Sequence, residues 1–118
     1  MRLFIRCVEG EVRLGPGKIR LLELIDANGS ISEAARAMEM SYRRAWLLVA
    51  ELNQGFQQPV TTAQTGGKGG GHAVLTEFGR ELIRLYRKIE TDAAAAVAGP
   101  MAELAGQLAV RGEPQETI

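Results

Sequence analysis

The sequence predicts a mainly α fold with small β-hairpins. Three observations predict it. Apolar residues recur at helical spacing in successive stretches, bounded by residues that cap or stop helices. Two other stretches break that period around glycines, as hairpins do. The length, 118 residues with 46% hydrophobic and 24% charged, suits one modest core.

In "MRLFIRCVEGEVRLG", Leu3, Ile5 and Cys7 share one face. Val12 and Leu14 follow on a second strand, after a turn at Glu9-Gly10-Glu11. In "GPGKIRLLELIDANG", Pro16 suits the first turn of a helix and Gly29 its stop. Ile19, Leu22 and Ile25, with Leu21 and Leu24 beside them, give that helix a wide apolar face. "SISEAARAM" is a short second helix. Ser30 and Glu33 have capping-box spacing, and Ser32 is an equal alternative as N-cap. Ala34, Ala35 and Met38 form a small-residue face that permits close helix approach.

Ser41 caps a third helix, whose Ala45, Val49 and Leu52 face the core and which ends at Gly55. Val60-Thr61-Thr62 and Ala73-Val74-Leu75 flank a Gly-rich centre, a hairpin with a long tip. Thr76 caps the longest helix. Its Phe78, Leu82, Leu85 and Ile89 form a coiled-coil-like stripe. Gly99-Pro100 is expected to stop it, leaving Met101, Leu104, Ala105 and Leu108 for one more short helix. The expected division is residues 1–98 as a domain and 99–118 as a short helical or disordered tail.

The net charge is zero but unevenly spread. Residues 1–88 hold thirteen Lys or Arg against nine Asp or Glu; residues 89–118 hold one Arg against five acids. A basic front and an acidic tail fit a local nucleic-acid surface, and equally an ordinary solvated one. Cys7 is the only cysteine, which excludes an intrachain disulfide and a Cys metal cluster and fits a reducing cytoplasm. The uncharged run Ala93–Met101 is too short to cross a bilayer, so no membrane contact is expected.

Two short helices joined through "MEMS" make a candidate helix-turn-helix. In that motif the N-terminal residues of the second helix reach DNA bases in the major groove. Here they are Ser41, Tyr42, Arg43 and Arg44. Arg can bond a guanine edge or a phosphate, and Tyr can donate to a phosphate. Both arginines point away from the Ala45–Val49–Leu52 face. Trp46 adjoins them; partial packing against the next helix is expected, with contact to the DNA backbone as the alternative.

The run "TGGKGGGH" at residues 65–72 is no nucleotide cradle. A P-loop needs Gly five positions before Gly67, where Thr62 stands, and Ser or Thr after Lys68, where Gly69 stands. The dinucleotide fingerprint needs Gly at position 72, which is His72. A hairpin after a DNA-reading helix can instead act as a wing along the duplex. Lys68 would then meet phosphate, Thr65 would add a hydroxyl, and Gly66 and Gly67 would let the backbone approach closely. His72, the only histidine, has neither Cys nor acid beside it in the loop, so no metal site and no cofactor are expected. No nucleophile–base or paired-acid arrangement suggests an enzyme.

"GSISEAARAMEMSYRRAWLLVAELNQ" followed by "TGGKGGGHAVLTEFGRELI" resembles the DNA-binding domain of ModE-type molybdate-responsive transcriptional regulators, itself related to the winged helix of LysR-type regulators. The most specific matches are Ser41, Tyr42, Arg43, Ala45 and Trp46, then residues 65–71, Leu75-Thr76 and Gly79. The resemblance implies a winged helix-turn-helix and a homodimer built partly on the N-terminal strands and the long helix. It implies binding to double-stranded DNA at a palindromic operator. By position, Ser41, Tyr42, Arg43, Arg44, Thr65, Gly66, Gly67 and Lys68 would face DNA, with Phe78, Leu82, Leu85 and Ile89 in the dimerisation stripe. His72 departs from the small residue usual there. Full-length members also carry C-terminal β-barrel modules that bind molybdate. Only about 30 residues follow Ile89, so molybdate binding by this chain is not expected.

Two rival functions stay open on sequence. One is a protein–protein adaptor of winged-helix shape. The other is an oxyanion binder that uses the loop's N–H groups as an anion nest.

Overall fold

The computed structural model describes residues 2–7, 9, 11–64 and 72–109. The elements run β1 (Ile5–Cys7), β2 (Val12–Leu14), α1 (Pro16–Asn28), α2 (Ile31–Ala37), α3 (Tyr42–Gly55), β3 (Thr61–Gln64), β4 (His72–Leu75) and α4 (Glu77–Ala105). The architecture is mainly helical with two small antiparallel hairpins, β1–β2 and β3–β4. The first pairs Ile5 with Leu14; the second pairs Thr61 with Leu75 and Gln64 with His72.

Three of the four described helices start at a side-chain cap, and α1 starts at a proline. Pro16 opens α1, and Gly29 closes it at φ 74°, a left-handed conformation that favours glycine. Ser30, not Ser32, caps α2: its Oγ accepts from the Glu33 N–H at 3.0 Å. Ser41 caps α3 in the same way, accepting from the Arg44 N–H at 3.1 Å. Between them Glu39 has φ 55°. A non-glycine residue in that region is uncommon, and it gives the chain its sharp turn from α2 into α3.

Ile19, Leu21, Leu22 and Ile25 of α1 meet Ala34 and Ala35 of α2 and Ala45, Val49 and Leu52 of α3 in one buried cluster. The alanines let α2 and α3 close over α1, which also contacts β4 and α4. Gly55 is the last residue of α3, and its role is packing. A Cβ there would lie 2.2 Å from Val12 Cγ2, so the first hairpin sits tightly on that end of α3.

Asn53 joins α3 to the second hairpin. Its Oδ1 accepts from the Val60 N–H at 2.7 Å and the Thr61 N–H at 3.4 Å, and its Nδ2 donates to Thr61 Oγ1 at 3.3 Å. The second hairpin is also tied at its other strand: the Ala73 N–H donates to Gly29 O at 3.2 Å, and Ser30 bridges to His72. Asn53→Ala leaves the fully buried Val60 without its acceptor. We expect a loss of about 1–3 kcal/mol in urea unfolding.

Thr76 seats α4. Its Oγ1 accepts from the Gly79 N–H at 2.9 Å and donates to Pro59 O at 2.6 Å. Arg87 then binds Glu23 of α1 at 2.8 Å, and Arg80 reaches Asp26 at 3.4 Å. The phenol of Tyr86, nearly fully buried, donates to Leu3 O at 2.5 Å and holds the N-terminal segment. Burial raises the phenol above its ordinary titration range.

The stop expected at Gly99-Pro100 does not occur. Helix α4 is continuous to Ala105, with Pro100 inside it, and among the described residues no separate short helix follows Pro100. Two features permit this. Gly99 has no Cβ for the proline ring to strike, and the exposed turn lets water satisfy the carbonyl that Pro100 cannot serve. The last residue α4 buries is Tyr86; the remainder extends as a helical arm.

Candidate nucleic-acid interface

Helix α3 is buried along Ala45, Val49 and Leu52 and exposed at its start. That register turns Arg43 and Arg44 to solvent, because both lie off the 3.6-residue core face; Tyr42, one turn before Ala45, is half exposed at the edge of that face. Ser41 spends its Oγ lone pair on the cap, and its O–H stays available as a donor. Four predicted site residues are thus brought together on one turn. The other four, Thr65, Gly66, Gly67 and Lys68, lie outside the described residues.

The pairing of cations distinguishes this turn from the rest of the basic surface. On α4, Arg80, Arg84, Arg87 and Lys88 each contact an acid. Arg36 binds Glu33, Lys18 binds Glu51, and Arg20 lies near Glu23. Among the described residues, Arg43 and Arg44 have no acidic partner. Arg2, Arg6 and Arg13 also have none, but they belong to the N-terminal segment and β1–β2. That hairpin packs at the far end of α3, about 20 Å from Arg43 at 1.5 Å per residue. A pocket of about 710 Å³ there mixes Arg6, Arg13 and Lys18 with Glu11 and Glu51, so its charges offset one another.

Trp46 lies outside the buried core. It is 50% exposed, as is Tyr42 one turn earlier. The two rings flank a groove of about 280 Å³ between α3 and the second hairpin, with Ile31, Val49 and Ala73 among its lining. His72 borders the same groove. Among the described residues no group of three His, Cys, Asp or Glu side chains is placed to share a metal ion. No described helix is long and apolar enough to cross a membrane.

The stripe on α4 divides. Leu82 is buried in the chain's own core, and Phe78 packs on Phe56 with ring centroids 5.3 Å apart. Leu85 and Ile89 are exposed. Phe4, near Leu3 on the segment that Tyr86 anchors, is exposed as well. Sequence reasoning missed Asn53 and Tyr86, the two side chains that fix the second hairpin and the N-terminal segment. Asn53 follows core Leu52 immediately, and a polar residue next to a core position was the available signal.

No family model matches the chain. Among curated proteins it is 44% identical over 95 residues to the molybdenum-pterin-binding protein MopB of Rhodobacter capsulatus, covering 75% of this chain and 35% of MopB. It is 46% identical over 71 residues to the DNA-binding transcriptional dual regulator ModE of Escherichia coli, covering 60% and 27%. With the molybdenum transport protein ModE of Azotobacter vinelandii it shares 37% over 79 residues, covering 67% and 29%. The chain is similar to ModE-type regulators and Mop-type molybdenum-binding proteins over most of its own length. It spans about a third of the length of these relatives. Their names describe regulation, binding and transport rather than catalysis.

Proposed function

We propose that the chain is a cytoplasmic DNA-binding transcriptional regulator of winged helix-turn-helix form. Helix α2, the turn at Glu39 and helix α3 are the helix-turn-helix, and β3–β4 is the wing. Arg43 reads bases, and Ser41, Tyr42, Arg44 and the loop residues Thr65, Gly66, Gly67 and Lys68 contact the backbone. One observation carries this: among the described residues Arg43 and Arg44 stand without acidic partners on the exposed first turn of a helix whose opposite face is core. The similarity to the regulator ModE supports it. The names of the relatives also support a regulon concerned with molybdenum. Genome-wide mapping of bound DNA tests both parts: discrete sites beside molybdenum-handling genes are expected, and the absence of discrete sites contradicts DNA-specific regulation.

The chain acts as a homodimer. Exposed Leu85 and Ile89 on α4, with Phe4 nearby in sequence to the anchored Leu3, supply an apolar surface for a second copy. Two α3 helices about 34 Å apart would then meet successive major grooves of a palindrome. Leu85→Asp combined with Ile89→Asp is expected to convert dimer to monomer in analytical ultracentrifugation while helical circular dichroism persists. Both residues are exposed in the single chain, so folding does not depend on them. A doubly substituted protein that stays dimeric would place the interface elsewhere.

A further inference from the structure

We propose that Trp46 reads the 5-methyl group of a thymine in the major groove, and so sets sequence preference beside Arg43. The proposal rests on the DNA-binding function given above. It starts from an indole in an uneconomical place. Ala45 and Val49 on the same helix are buried, yet Trp46 leaves half its surface in water. Leaving that much apolar area exposed forgoes stabilisation that a buried position would have given. Tyr42, four residues earlier, is equally exposed, and the two rings face one groove with apolar Ile31, Val49 and Ala73 in its lining.

Placement then selects the occupant. Side chains on a helix lean toward its N-terminus, so the Trp46 ring projects over the turn that carries Tyr42 and Arg43. Those first turns are the part of a groove-entering helix that reaches base edges. Arg43 and Arg44, lacking acidic partners among the described residues, bring positive charge to the same turn and favour a polyanion over a neutral apolar ligand. Along the edges of a major groove the thymine methyl is the apolar feature, and apolar side chains read it by contact. An indole beside an arginine is therefore suited to a step in which a thymine neighbours a guanine.

The test begins with a duplex selected from a random-sequence library by the full chain. Each thymine of that duplex is replaced in turn by uracil, which removes only the methyl group. Binding is followed by anisotropy of the labelled DNA. At one thymine in each half-site, uracil is expected to weaken the wild-type protein about fourfold, the effect of burying one methyl. Trp46→Ala is expected to bind more weakly and to be indifferent to uracil there. Trp46→Phe is expected to keep part of the sensitivity, and circular dichroism reports whether each variant folds.

Uracil substitutions without effect on the wild type overturn the proposal, with no variant needed. Sensitivity that survives in a folded Trp46→Ala also overturns it. Trp46 is the only tryptophan, so its quenching by acrylamide reports its own exposure. A ring shielded by DNA but indifferent to uracil lies on the sugar–phosphate backbone; the methyl contact is then wrong and DNA binding stands. Failure to select any duplex overturns DNA binding and the methyl contact together.

Discussion

Arg43→Ala is expected to weaken binding to a selected duplex about 5- to 150-fold, from the roughly 1–3 kcal/mol of a bidentate base contact. Binding to scrambled DNA should fall much less, because one charge among several phosphate contacts is a small share of non-specific affinity. The geometry explains the asymmetry. Arg43 is exposed and has no acidic partner among the described residues, so its removal disturbs no ion pair in the free protein. Folding should be unchanged, and any loss is a binding loss. Equal weakening on both duplexes would make Arg43 a backbone contact. Arg84→Ala is the matched control. Its guanidinium already binds Glu81 on the same face of α4, an exposed pair whose removal costs little.

Gly79→Ala is expected to destabilise the fold by about 1–3 kcal/mol, against a domain stability of about 5–15 kcal/mol. Helix propensity alone predicts the opposite sign, since Ala is better than Gly inside a helix by about 1 kcal/mol. Packing decides. A Cβ at position 79 would lie 2.3 Å from the Val60 carbonyl oxygen and 3.2 Å from its carbon. Backbone cannot swing aside as a side chain can. The same carbonyl accepts from the Thr76 N–H, and Thr76 in turn holds Pro59, so a displaced Val60 loosens the seat of α4. Gly17→Ala is the contrasting case. Nothing lies within 4 Å of its Cβ position in α1, and a gain of about 0.5–1 kcal/mol is expected. Chemical denaturation of both variants checks the two signs.

Elements with local signatures were legible from residues alone. Pro16 and Gly29 bound α1 as expected, and Ser41 and Thr76 cap α3 and α4. The core face Ala45–Val49–Leu52 follows from helical period. Features that depend on distant partners were not legible. The Phe78–Leu82–Leu85–Ile89 spacing reads as one stripe, yet tertiary packing divides it. Leu82 finds the core, Phe78 finds Phe56, and only the outer pair stays exposed. Gly99-Pro100 carries a stop signal that its exposed, Ala-rich setting overrides. At the candidate site the basic turn was visible. That its arginines lack acidic partners among the described residues, while Arg80 and Arg87 of α4 have them on α1, required the positions of Glu23 and Asp26 in space.

The central claim is that α3 presents its first turn to duplex DNA. It is tested most directly by titrating a selected duplex with the wild-type chain and with Arg43→Ala/Arg44→Ala across a range of salt. For the wild type, the logarithm of the binding constant should fall linearly with the logarithm of salt, by about 0.9 per phosphate neutralised. The double variant should bind more weakly, with a shallower slope. Equal affinity and equal slope for the two proteins would contradict the account, because the DNA would then be held by some other surface of the chain.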